Sequence, residues 1–128
     1  PHVTAVSLTS ENKTLAHPSS VDSISTSGGQ EDIVSMAPWA GRSCLKIIEN
    51  VRRILAIELL VSGNVNYRFH AKLQSSKSLT PLMNLLKKSN VLSKKDRVFA
   101  KDIEIVEKLI INNKVFDVVN KINKVSRI

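Results

Sequence analysis

An all-α fold is what this sequence predicts, and three observations carry that reading. Leucine, isoleucine and valine recur at helical spacing from Leu45 to Val61, a stretch free of proline. Shorter apolar patterns of the same period follow after Thr80-Pro81, after Asp102 and after Asn112-Asn113, each opened or closed by a residue that starts or stops helices. No pair of alternating segments is convincing as paired strands.

The elements follow in order. Pro1 to Ser10 alternates loosely through Val3, Ala5, Val6 and Leu8, which fits a short strand or the tail of a helix. Ser10 can cap a helical turn through Ala16, and His17-Pro18 ends it, because the residue before proline disfavours helical angles. Ser19 to Gly29 is rich in serine, threonine and glycine. A flexible linker is the plain reading, although Val21 and Ile24 weigh against it. From Val21 to Met36 the chain is small and polar, carries Gln30, Glu31 and Asp32 in a row, and then enters the long apolar pattern. Such a loop brings carboxylates to the start of a helix, where backbone donors and the helix dipole favour an anion. Asp32 reads as the helix N-cap, with Glu31 either solvated or projecting into a site.

Pro38 suits a first helical turn, and Gly41 is the one glycine between Trp39 and Val61. The apolar residues of this helix cover more than one stripe, so it is expected to be buried on several sides, in a bundle or at a subunit interface. Cys44 then reads as a small buried hydrophobe. Glu49 has Arg52 or Arg53 at pairing distance, and Glu58 needs a partner if buried. Ser62-Gly63-Asn64 and Asn66 read as stop signals. Tyr67 to Ser78 reads as a polar, basic connection, and Thr80-Pro81 opens a helix that runs to Lys88. Asn90 to Lys95 is a loop. Asp102 is expected to cap a helix from Ile103 to Ile111, Asn112-Asn113 breaks it, and Val115, Val118, Val119, Ile122 and Val125 mark a last amphipathic helix. The organisation expected is a polar loop region (1–35), a long core helix (36–66) and a C-terminal helical segment (67–128), all parts of one incomplete domain.

The 128 residues suffice for one domain, and the net charge of +8 is uneven. Up to Ser35 one lysine, Lys13, stands against Glu11, Asp22, Glu31 and Asp32, so the loop region is acidic and the helical part basic. A single cysteine excludes an internal disulfide and fits a reducing, cytoplasmic setting. The run from Ile54 to Ser62 is too short for a bilayer and is interrupted by Glu58. No signal peptide is expected, since no basic-then-apolar leader opens the chain, and the start at Pro1 without a methionine suggests a fragment or a processed piece.

Other candidate sites are weak. His2, His17 and His70 are scattered, so no metal site is expected. Gly28-Gly29 lacks the lysine of a phosphate loop. Lys87-Lys88 and Lys94-Lys95 could meet phosphates, but nucleic acid is not the expected partner, since few aromatics accompany them.

The stretch from Ser10 to Leu60 settles the choice. SENKTLAHP, SVDSI, the QED of Gln30-Glu31-Asp32, VSMAP, AGR and ENVRRILAIELL together resemble the C-terminal part of the histidine ammonia-lyases, in the aromatic amino-acid lyase family. Tyr67-Arg68 and DRVFAKDIE extend the likeness more weakly.

The resemblance implies a mostly helical, homotetrameric enzyme with each active site built from several subunits. It implies elimination of ammonia from histidine, giving urocanate, or from a related aromatic amino acid. The electrophile implied is a methylidene-imidazolone (MIO) made from an internal Ala-Ser-Gly, and the implied catalytic tyrosine and carboxylate-binding arginine belong, like that triplet, to parts outside this chain. Glu31 is implied to meet the amino group or imidazole of the substrate, with Gln30 supporting it. The partners implied are the amino-acid substrate, the rest of the lyase or a second subunit, and further copies, and the chain alone is expected to be inactive. Ile33 stands where many members have histidine, Ser25 where proline is usual, and Gly28-Gly29 where Ala-Asn is usual. These departures motivate one alternative, a non-catalytic helical scaffold derived from the lyase.

Overall fold

The computed structural model of the chain describes residues 1–70, 72–73 and 75–125. Five helices account for most of it: α1 (His2–Leu15), α2 (Ala37–Phe69), α3 (Thr80–Lys88), α4 (Ala100–Ile111) and α5 (Lys114–Val125). Two single 3-10 turns, Ser19–Asp22 and Ser27–Gly29, lie between α1 and α2. The one strand-like feature among the described residues is an isolated bridge between Thr26 and Glu31. The all-α expectation is met.

The chain divides into two compact units. One comprises Val3–Val51 and the other Pro1–His2 with Arg52–Ile128.

In the first unit, the loose apolar pattern of the opening residues resolves as helix rather than strand. It runs without interruption through Ser10, whose place as a cap is therefore not taken up, and Thr9 Oγ1 donates to Ala5 O at 2.9 Å. The helix stops where His17-Pro18 requires it. A polar tie joins it to the first half of α2. Asn50 is buried, and its Nδ2 donates to Glu11 Oε2 at 2.8 Å and to Asn12 Oδ1 at 2.9 Å.

The second unit holds the core. Ala56 and Leu60 from α2, Leu86 from α3, Val91 from the loop after it and Val106 from α4 are all buried together. Leu59, Met83, Leu92, Phe99, Ile103 and Ile110 surround them. α5 packs on both α3 and α4. The side chains of Ile122 and Val125, expected on its apolar face, lie outside the described part.

Here the expected stop at Ser62-Gly63-Asn64 fails, because α2 continues to Phe69. The reason is tertiary. Asn64 donates from Nδ2 to Leu60 O at 2.9 Å and to Val91 O at 3.2 Å, and its Oδ1 accepts from Ser93 N at 2.9 Å. Gly63 lets the core come close: a Cβ there would stand 2.8 Å from Leu86 Cδ1 and 3.2 Å from Leu92 Cδ2. Both residues act as contacts across the unit, not as terminators.

Asp102 is likewise not a cap. α4 begins two residues earlier, at Ala100, and Asp102 is buried against Arg97. Arg97 Nε and Nη2 each donate to one carboxylate oxygen at 2.8 Å, and Nη2 also reaches Asn90 O at 2.9 Å. The fork is bidentate, the geometry in which guanidinium and carboxylate bind best. Arg68 secures the same loop by donating to Ser93 O and Lys95 O, each at 2.7 Å.

Among the described residues, α2 is not buried on several sides. Its buried apolar residues are Ala56, Ile57 and Leu60, whereas Leu45, Ile48, Val51 and Leu55 are exposed along one face. Cys44 is exposed, contrary to the buried placement its neighbours suggested. Glu58 faces solvent and needs no partner. Glu49 pairs with Lys46 at 3.6 Å, and Arg53 reaches Glu107 at 3.1 Å, so the expected Glu49–arginine pair does not form. Periodicity reports the chemistry of each face but not what covers it. Among the described residues, no helix is long and apolar enough to cross a membrane.

Candidate functional site

The loop between α1 and α2 is a small hairpin, and its backbone explains its composition. Ser23 (φ −60°, ψ 132°) and Thr26 (φ −131°, ψ −179°) are both extended. Three successive residues then take positive φ: Ser27 (54°), Gly28 (65°) and Gly29 (85°). A Cβ on either glycine would meet nothing within 4 Å, so glycine is favoured here for its φ and not for close approach. Ser27 adopts the same left-handed region with a side chain, at a cost of about 1 kcal/mol. The turn closes when Thr26 N donates to Glu31 O at 3.0 Å and Glu31 N to Thr26 O at 3.4 Å. Gly29 N also reaches Thr26 O at 3.0 Å.

A second rung lies three residues further down each arm. Ser23 Oγ accepts from Val34 N at 2.9 Å and donates to Val34 O at 3.3 Å. Beside this rung an open groove of about 440 Å³ is lined by Ser19, Ser23, Ile33, Val34, Met36 and Ala40, among others. Ser19 is buried at its edge.

Gln30 and Glu31 therefore sit at the end of the hairpin, adjacent and both exposed. Among the described residues neither the Glu31 nor the Asp32 carboxylate has an ion-pair partner. Glu31 is held by its backbone and free at its side chain, the condition for a carboxylate that meets a partner from outside. Asp32 is not the cap of α2. The helix begins five residues later, at Ala37, set by Pro38 in its first turn, with Ala37 N near Ser35 Oγ at 3.4 Å.

The remaining candidates stay apart. Among the described residues, no three histidine, cysteine or carboxylate side chains gather as a metal site. Lys87 and Lys88 end α3, while Lys94 lies over the Tyr67 ring at 6.0 Å. Ser23 escaped the sequence reading. In a serine-rich stretch nothing local separates a serine that bridges eleven residues from those that meet only water.

Comparison with known proteins gives concordant results. Residues 1–88 match the family described as aromatic amino acid lyase. Histidine ammonia-lyase of Yersinia enterocolitica is 52% identical over 108 residues, 84% of this chain and 21% of that protein. The human enzyme of that name is 44% identical over 117 residues, 91% of this chain and 18% of the human protein. Among solved structures, histidine ammonia-lyase from Trypanosoma cruzi superposes with a TM-score of 0.87 at 39% identity, covering 94% of this chain and 24% of its own. The chain thus spans about one fifth of the length of these curated relatives.

Proposed function

The chain belongs to the aromatic amino acid lyase family, and from that premise we propose that it is the part of a histidine ammonia-lyase that presents Glu31 to the substrate. The observation that carries this reading is the hairpin: a backbone-anchored turn ending in an exposed glutamate, in a chain up to 52% identical to histidine ammonia-lyases. The reaction is loss of ammonia from histidine to give urocanate. Histidine brings two groups that a carboxylate can hold, its α-ammonium and its imidazole. Glu31 orients one of them by charge-assisted hydrogen bonding and can accept a proton from it. Gln30, next to it at the close of the turn, supports that contact. A non-catalytic scaffold is not favoured, since the relatives found across nearly the whole chain bear the enzyme's name.

The electrophile of this family, a methylidene-imidazolone made from Ala-Ser-Gly, does not fit the residues present. The sequence contains no such triplet, and Thr26-Ser27-Gly28 lies in the exposed turn that carries Glu31. The group must come from the rest of the lyase polypeptide or a second subunit. On the same reading the working enzyme is a cytoplasmic homo-oligomer, a homotetramer, and the face of α2 bearing Leu45, Ile48 and Leu55 is covered on assembly.

The test is urocanate formation by this chain alone and after assembly with an Ala-Ser-Gly-bearing lyase part. The chain alone should be inactive and the assembly active, and Glu31→Gln should lower kcat of the assembly about 100-fold or more. Turnover by the isolated chain, or full activity of E31Q, would refute the proposal.

A further inference from the structure

We infer that Ser23 is a positioning residue for Glu31, acting through its two hydrogen bonds to the backbone of Val34; the inference rests on the role proposed above for Glu31.

Within this chain every side chain from Val21 to Ile33 is exposed, so no apolar burial inside the chain sets the direction in which Glu31 points. Ion pairs on Glu31 and Asp32 are absent among the described residues. Among the described residues, hydrogen bonds tie the two arms together. The first rung, Thr26 with Glu31, closes the turn but does not by itself fix the turn relative to its neck. The second rung, Ser23 with Val34, sits at that neck, three residues from Thr26 on one arm and from Glu31 on the other.

Val34 has its amide and its carbonyl turned toward the same hydroxyl. That hydroxyl serves as acceptor at 2.9 Å and donor at 3.3 Å, replacing the backbone rung that two paired strands would make here. Val34 is half-buried beside the groove that also holds the buried Ser19, so the bonds join the hairpin to the better-packed part of the loop. A misplacement of about 1 Å in a catalytic group can cost as much as about 100-fold in rate. Loosening one rung of two is a milder loss, and about tenfold is expected.

Alanine at 23 removes both bonds at an exposed position, so folding should persist. Threonine retains the hydroxyl, and the extended angles of Ser23 suit a β-branched residue.

The experiment has two arms. In the assembled lyase, kcat and KM for histidine are measured for S23A, S23T, E31Q and the double variant. S23A should lower kcat about tenfold with KM changed less than twofold. S23T should restore most of the rate, and S23A should add less than twofold to the loss in E31Q, because a residue that acts through Glu31 has nothing to position once that carboxylate is gone. In the 128-residue chain, hydrogen exchange should quicken in residues 23–36 of S23A and not in α3 or α4. Full kcat for S23A, no rescue by S23T, an undiminished S23A effect in E31Q, or unchanged exchange at 23–36 would each overturn the assignment. If E31Q itself keeps full rate, the role of Glu31 falls instead. A slow E31Q beside a normal S23A would remove only the role of Ser23.

Discussion

Two glycine-to-alanine changes in α2 should move stability in opposite directions. Gly41 and Gly63 both lie inside the helix, where alanine is favoured over glycine by about 1 kcal/mol. At Gly41 a Cβ would meet nothing within 4 Å, so Gly41→Ala should stabilise by about 1 kcal/mol. At Gly63 the new methyl would stand 2.8 Å from Leu86 Cδ1 and 3.2 Å from Leu92 Cδ2. Leu86 has no exposed surface and packs with Val91 and Val106, so it cannot turn aside freely. Overpacking of this kind costs about 1–3 kcal/mol, which outweighs the helical gain and leaves Gly63→Ala destabilising by about 1 kcal/mol. The two variants should therefore differ by about 2 kcal/mol, beyond the error of a denaturant midpoint. The assay is urea unfolding of each variant followed by far-ultraviolet circular dichroism, with thermal midpoints as a check. If Gly63→Ala is as stable as the parent chain or more so, the close approach of Leu86 does not constrain the fold, and the account of why α2 passes through Gly63 is wrong.

Two other changes probe the loop after α3. Asp102→Ala removes a buried carboxylate and strands Arg97, which is about one third exposed and can turn partly to water; a loss of about 2–3 kcal/mol is expected, read from the urea midpoint. Asn64→Leu leaves Val91 O and Ser93 N without their partner and should cost about 2–3 kcal/mol, with faster amide exchange at Ser93 as its specific sign. Unchanged midpoints in either case would show that the loop is held by its apolar contacts alone.

How much was legible beforehand follows from what each signal measures. The helix starting at Thr80-Pro81 and the break at Asn112-Asn113 were readable because proline geometry and asparagine's tolerance of positive φ act on the residue itself, and Asn113 indeed has φ 57°. The density of motif from Ser10 to Leu60 was enough to identify the lyase resemblance, because matched residues in that number do not depend on knowing their contacts. Exposure of Gln30 and Glu31 at the end of a turn also fitted the glycine-rich composition before them.

What only the tertiary structure decided concerns contacts between distant residues. Gly63 and Asn64 carry local stop preferences of about 1 kcal/mol, and three hydrogen bonds plus a core contact outweigh them. Asp102 has the chemistry of a cap, yet a guanidinium five residues earlier claims it. Ser23 looks like any serine of a polar loop until Val34 folds back beside it. The sequence by itself determined the helical class, the family and the carboxylate-bearing loop, because these rest on residue type and local spacing. Helix ends, buried pairs and the anchor of the hairpin waited on folding, because each depends on which groups arrive from elsewhere in the chain.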